Sequence, residues 1–272
     1  MTGYREKTID IFPGRAGADA ISLGLIEESP LAIRIQGNPH TVVMRTPGDE
    51  LAQAAGYCLA EGIVDHPDDI VNLACCGEDV NVVTVTLSQQ RLAAHPNLLK
   101  PRPHISQTSC GICGKELVSD LVREIRPVDR KDTPLDPAVG RDCLNRLRDL
   151  QTRHHSSHAA ALFTANGDLL ALGEDVGRHN ALDKAIGKLF LSGELSSAAL
   201  AVLSSRISYE LVQKAGRAGI PAIFSKSGPT ALAVEMAERL DMTLACPAKT
   251  FDLFVFCGGH GLAGYSTRRI KS

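Results

Sequence analysis

The chain has 272 residues, enough for one large domain or two modest ones. A hydrophobic share of 44% beside 22% charged residues marks a soluble globular protein, and a formal net charge of −2 removes the electrostatic case for general nucleic-acid binding. Aromatics at 4%, with no Trp, leave little from which to build a base-stacking platform.

The opening Met-Thr-Gly-Tyr-Arg-Glu-Lys-Thr-Ile-Asp is polar and charged, without the apolar centre of a signal peptide. No apolar run approaches the roughly 18 residues of a membrane span. These features predict a cytoplasmic protein with no membrane partner, whose cysteines stay reduced. Pro30–Gln36 and Thr41–Arg45 alternate around Gly37-Asn38 and predict a hairpin. Thr46-Pro-Gly-Asp-Glu then opens a helix, with Leu51, Ala54, Ala55, Cys58 and Leu59 on one face and Gly62 at its end. Ile70–Leu73 and Val80–Leu87 predict a second hairpin. Residues 1–100 thus read as a small α+β domain.

Periodicity fades from Ala93 to Pro137, a stretch rich in proline with room for a short helix at Lys115–Ile125. Residues 101–135 read as a linker and functional loop. Residues 136–272 read as an α/β domain. Asp136–Leu150 is helical, with Val139, Cys143, Leu147 and Leu150 on one face. Ala159–Thr164 and Leu169–Leu172 flank the Asn166-Gly167 turn. Then come helix Asn180–Leu191, strand Ala199–Leu203, helix Ile207–Ala215, strand Pro221–Phe224, helix Thr230–Leu240 and strands Thr243–Ala245 and Leu253–Phe256. Short apolar strands alternating with helices predict a parallel or mixed sheet covered on both faces.

Chemistry concentrates in three places. The first is Cys110-Gly-Ile-Cys113, inside the polar, glycine-flanked stretch Gln107–Lys115. Two thiols at this spacing can exchange a disulfide, bind a soft metal or carry sulfur as a persulfide. Cys58, Cys143 and Cys257 lie in apolar periodic segments and read as core; Cys246 ends a strand-like run, and Cys75-Cys76 is a vicinal pair at a strand end. His154, His155 and His158 could complete a zinc site with Cys110 and Cys113 by count alone. The second place is a pair of strand-to-helix turns, Ser204-Ser205-Arg206 and Ser225-Lys226-Ser227-Gly228. Each offers hydroxyls, a cation and free N–H groups at a helix start, an arrangement suited to an anion and equally to an ordinary N-cap. The third is the polar block Glu174–Lys184. There Glu174, Asp175, Arg178, His179 and Asn180 can recognise a polar heterocycle and ribose, or serve as a capped, solvated helix start.

These blocks together resemble the FdhD family, the accessory sulfurtransferases for formate dehydrogenase. The matching pieces run in order over most of the chain: Glu28–Ile33, Arg45–Leu51, Glu61-Gly-Ile63, Ser109–Gly114, Glu174–Lys184, Ser205–Ala215 and Ala218–Pro221. The resemblance implies a sulfur carrier that accepts sulfur from a cysteine desulfurase. It would pass that sulfur to the molybdenum or tungsten of a bis(molybdopterin guanine dinucleotide) cofactor, carried as cargo, before insertion into formate dehydrogenase. It also implies a homodimer, and a C-terminal half with the three-layer α/β/α arrangement of the cytidine deaminase fold. Carried over, Cys110 would hold the persulfide and Cys113 would assist. Arg178, His179, Asn180, Ser205, Arg206, Ser225, Lys226 and Ser227 would meet the cofactor's guanine nucleotide and pyrophosphate arms. Two stretches depart from the family pattern: Ser156-Ser157 stands where Thr-Gly-Gly is common, and Lys249 is the nearest cation where an aromatic-x-Arg stretch is common. Two other readings of the C-x-x-C stay open: a dithiol redox protein, and a non-enzymatic zinc or cofactor chaperone.

Overall fold

The computed structural model describes residues 4–10, 20–77, 79–94, 125–130, 134–151, 156–248 and 252–266. Cys110, Cys113, His154, His155, Lys249 and nearly all of the short helix expected at Lys115–Ile125 lie outside them. The fold is mixed α/β.

Strands β3 (Ser29–Ile35) and β4 (Asn38–Arg45) form the first hairpin. Its turn is Gln36-Gly37, one residue earlier than the Gly37-Asn38 expectation. Both residues have positive φ, 52° and 78°, as the tight turn for right-twisted strands requires. β5 (Ile70–Cys76) and β6 (Asp79–Leu87) form the second hairpin, and β6 pairs parallel to β3. The resulting sheet has the order β4-β3-β6-β5. Strands β1 (Tyr4–Asp10) and β2 (Ala20–Ile26) pair in a separate antiparallel ribbon that periodicity left unassigned.

The second sheet has six strands in the order β12-β11-β10-β9-β7-β8. β7 (His158–Phe163) and β8 (Leu169–Asp175) form the expected hairpin around Gly167, whose φ is 86°. β9 (Leu200–Leu203), β10 (Ala222–Ser225) and β11 (Thr243–Pro247) run parallel, and β12 (Leu253–Cys257) returns antiparallel. β9 and β10 are buried at every residue because both sheet faces are covered. Ala159, Ala161, Phe163, Leu200, Val202 and Phe224 pack with Cys143, Leu144 and Leu147 of helix α3 (Pro137–Leu150). Alternate residues Ala160, Leu162, Ala201, Leu203 and Ile223 belong to the opposite cluster. That cluster holds α4 (Arg178–Ser192), α5 (Tyr209–Arg217) and α6 (Ala231–Arg239). It continues without a break through α1 (Glu50–Ala60) to Leu31, Ile33, Val83 and Val85 of the four-stranded sheet. A six-residue helix α2 (Gln89–Ala94) follows β6. Among the described residues no helix is long and apolar enough to cross a membrane.

α1 and α4 approach so closely that no side chain fits between them at two points. A Cβ on Gly56 would lie 2.0 Å from the Asp183 carbonyl oxygen, and one on Gly187 would lie 1.8 Å from that of Ala52. Ala52 and Gly56, one turn apart on α1, and Gly187 on α4 allow this contact.

Candidate functional site

The carboxyl ends of parallel strands are where an α/β sheet offers open backbone groups to a ligand. Here β9, β10 and β8 end at one edge of the sheet, and β7, antiparallel to both β8 and β9, begins there.

The two serine-rich turns lie side by side. The Lys226 N–H donates to the Leu203 carbonyl at 3.1 Å, and the Thr230 N–H donates to that of Ile207 at 3.0 Å. The Ser225 hydroxyl donates to the Ser205 carbonyl and accepts from the Ser227 N–H at 3.3 Å. Ser225 is wholly buried, and the Ser205 hydroxyl donates to the Arg206 carbonyl at 3.0 Å. The Ser204 hydroxyl accepts from the Ala159 N–H at 2.9 Å. Three of the serines therefore bond within the protein and lock the edge. Arg206 and Lys226 are exposed, and neither side chain has a bonding partner among the described residues. Burial, and then the Arg148 guanidinium, holds the Lys226 ammonium below its ordinary range. A cation that is partly desolvated beside another cation favours an anionic ligand. Helix α5 starts at Tyr209 rather than Ile207: Ile207 bridges to Pro229, and Ser208 occupies the N-cap position.

The polar block divides into a buried part and an open part. Asp175 is 0% exposed and accepts from the Thr46 N–H at 3.0 Å, the Gly177 N–H at 2.8 Å and the Asn180 amide at 2.9 Å. Its charge is met by the Lys184 ammonium at 2.7 Å. Lys184 also donates to the Thr46 carbonyl at 2.7 Å, and the Asn180 amide donates to that of Met44 at 2.8 Å. Asp175, Asn180 and Lys184 thus clamp the end of β4 onto the start of α4. Arg178 and His179, half-buried, lie at the sheet edge. His179 Nε2 is 2.6 Å from Glu210 and 3.4 Å from the Ser208 hydroxyl. The hydrogen bond from His179 holds the Glu210 carboxyl below the usual carboxylate range despite its burial. Burial pushes His158 down, helped by Arg178 and His179, which keeps that ring neutral near pH 7.

Cys58, Cys143 and Cys257 are buried, as their apolar settings predict, and Cys246 at the end of its strand is buried too. Burial raises each thiol, that of Cys257 to about 11, so they are poor nucleophiles at neutral pH. Cys75, at the end of β5, is also raised, first by burial and then by Glu50. Among the described residues no group of three or more His, Cys, Asp or Glu is arranged to hold a metal ion.

The edge therefore gathers Arg178, His179, Ser205, Arg206, Ser225, Lys226 and Ser227 from three segments far apart in the chain. It adds two groups that sequence reasoning did not assign to it, Glu210 and Arg148. Glu210 was legible only as an acidic residue after an N-cap serine, a pattern any helix start can show.

A model of the FdhD/NarQ family matches residues 26–262, which hold every element from β3 to the end of β12. The chain belongs to the FdhD/NarQ family. This FdhD/NarQ protein is 39% identical over 273 residues to the sulfur carrier protein FdhD of Streptomyces avermitilis, with 95% of each chain covered. It is 38% identical to the FdhD of Mycobacterium tuberculosis, covering 81% of this chain and 84% of that one. Its fold is that of a formate dehydrogenase accessory protein from Desulfotalea psychrophila solved by crystallography. The TM-score is 0.74 at 21% identity, covering 95% of this chain and 99% of that one.

Proposed function

We propose that this chain is a sulfur carrier in the maturation of formate dehydrogenase. In this reading it is a sulfurtransferase that takes sulfur from a cysteine desulfurase as a persulfide on Cys110. It delivers that sulfur to the molybdenum of a bis(molybdopterin guanine dinucleotide) cofactor. The observation that carries the reading is the match along 95% of the chain to a relative named sulfur carrier protein FdhD. The C-x-x-C of this sequence supports it chemically.

For loading, the Cys110 thiolate attacks the outer sulfur of the desulfurase persulfide. The donor S–S bond breaks, the donor cysteine leaves as a thiolate, and a new S–S bond forms on Cys110. For delivery, the Cys113 thiolate attacks the inner sulfur. The terminal sulfur leaves as sulfide for the metal, and a Cys110–Cys113 disulfide remains for a thiol reductant to open. The partners are the desulfurase, formate dehydrogenase and a second copy of this chain, all in the cytoplasm.

The exposed cations at the sheet edge support the second half of the reading, that the guanine nucleotide and pyrophosphate arms of the cargo bind there. Arg178, His179, Arg206 and Lys226 line that edge, and a charge-assisted contact of this kind contributes roughly 1.5–3 kcal/mol. Arg206→Ala is therefore expected to weaken GDP, used as a cofactor fragment, by about tenfold or more. Loading of Cys110 should be unchanged, because it needs only that thiol. GDP calorimetry beside desulfurase labelling of the same variant measures both. Wild-type GDP affinity in Arg206→Ala would reduce the turn to a helix cap and remove the nucleotide site.

A further inference from the structure

Two phenylalanine rings stand in solvent beside the Ser225–Gly228 turn. Phe163, Phe190 and Phe224 are at most 2% exposed, whereas Phe254 and Phe256 on β12 are 57% and 40% exposed. β12 runs antiparallel to β11, so its first residues lie at the ligand edge, with Leu253 beside Pro247 and Phe254 beside Cys246. Leu253 and Val255 pack on the cluster that holds α3, which leaves Phe254 on the opposite face of an edge strand. The register breaks at Phe256: Val255 pairs with Ala245 and Cys257 with Leu244, so Phe256 is the extra residue of a bulge. A bulge re-aims the side chain it carries. Here the two ring centroids lie 6.4 Å apart, with their planes tilted by 53°. A Cβ on Gly228 would lie 3.7 Å from the Phe256 ring, so that ring rests against the backbone of the turn, two residues from Lys226.

Apolar surface left in water gains free energy when something covers it. Two phenylalanine rings offer at most about 400 Å², about half of the roughly 800 Å² per partner that a stable protein interface needs. The rings also lie beside charge: Lys226 and Arg206 are exposed, and neither side chain has a partner among the described residues. A flat apolar surface next to unpaired cations complements a ligand with a planar ring at one end and anionic oxygens at the other. That is the make-up of a nucleotide. Carbon atoms in contact lie about 3.5–4.0 Å apart, so a base held between two parallel rings needs about 7 Å or more. At 6.4 Å and 53° the pair is a wall for one face of a base rather than a slot.

We infer that Phe254 and Phe256 form the stacking wall for the base of the bound nucleotide, whose phosphates meet Lys226 and Arg206. This rests on the reading of that edge as a nucleotide site. The probes are GDP and inorganic pyrophosphate, titrated calorimetrically into the full chain. Phe254→Ala and Phe256→Ala should each weaken GDP by about tenfold. Both should leave pyrophosphate unchanged, because it has no base to stack. Phe256→Leu keeps apolar bulk without a π face and should bind GDP as weakly as Phe256→Ala, while Phe256→Tyr should bind it like wild type. Wild-type GDP affinity in both alanine variants, or in Phe256→Leu, overturns the inference. Equal losses of GDP and pyrophosphate would show that the rings only prop the turn, and overturn it too. So would unchanged GDP affinity with a shift to a smaller species in gel filtration, which would give the rings to a second copy of the chain. If the wild-type chain binds pyrophosphate but not GDP, the anion site stands and the stacking wall falls. If it binds neither, the nucleotide reading falls and the inference with it.

Discussion

Lys184→Met is expected to lower stability by about 3–5 kcal/mol, the cost of leaving one member of a buried ion pair uncompensated. Lys184 and Asp175 are 1% and 0% exposed and 2.7 Å apart. Methionine fills the space of the aliphatic stem but strands the Asp175 charge. It also frees the Thr46 carbonyl, which Lys184 binds at 2.7 Å. The clamp ties residues 129 positions apart in sequence, Thr46 and Asp175, so its loss acts on long-range structure. For a chain of this size the melting temperature should fall by about 6–15 °C. Arg178 and His179 follow the clamp directly, so GDP binding should weaken in the same variant. Thermal unfolding followed by circular dichroism reads the first effect; a shift under 2 °C would mean that Asp175 is not dependent on this cation.

Gly187→Ala is expected to destabilise by about 3 kcal/mol, the upper end of the usual range for overpacking. The added methyl would lie 1.8 Å from the Ala52 carbonyl oxygen and 2.9 Å from the Gly56 nitrogen, both backbone atoms that cannot rotate aside. α1 and α4 must separate, and the cluster shared by the two sheets opens between them. Gly228→Ala is the matched control: its methyl meets only the Phe256 ring, at 3.7 Å. That substitution should change stability by less than about 0.5 kcal/mol. Urea midpoints of the two variants check the contrast, and equal midpoints would contradict the close helix contact.

Local pattern carried most of the fold. Both first-half elements with period-two alternation, and the β7–β8 hairpin at Asn166-Gly167, are present because turn residues and strand period agree there. Helix α3 shows the same agreement: Asp136 caps it, accepting from the Ala138 N–H at 2.8 Å, and Cys143 and Leu147 face inward. What pattern did not carry was pairing at a distance. β1 is a run of alternating charges whose strand state depends on β2, and nothing within Tyr4–Asp10 announces it. The site shows the same limit. Ser205 and Ser225 were legible as hydroxyls at helix starts, but only the fold shows them bonded to neighbouring carbonyl groups. Asn180 reads as a nucleotide contact in sequence, while its amide is bonded to Asp175 and Met44. Glu210 acquires its meaning from His179, 31 residues earlier on another helix, by the same geometry that brings Lys214 to Asp183.

The central claim is that sulfur travels on Cys110. The measurement is mass spectrometry of the full chain after incubation with a cysteine desulfurase and cysteine, followed by peptide mapping without reductant. The account predicts a gain of one sulfur mass on the peptide containing Cys110, and its loss in Cys110→Ala. A wild-type level of added sulfur in Cys110→Ala, or formate dehydrogenase activity restored in cells by that variant, would contradict it.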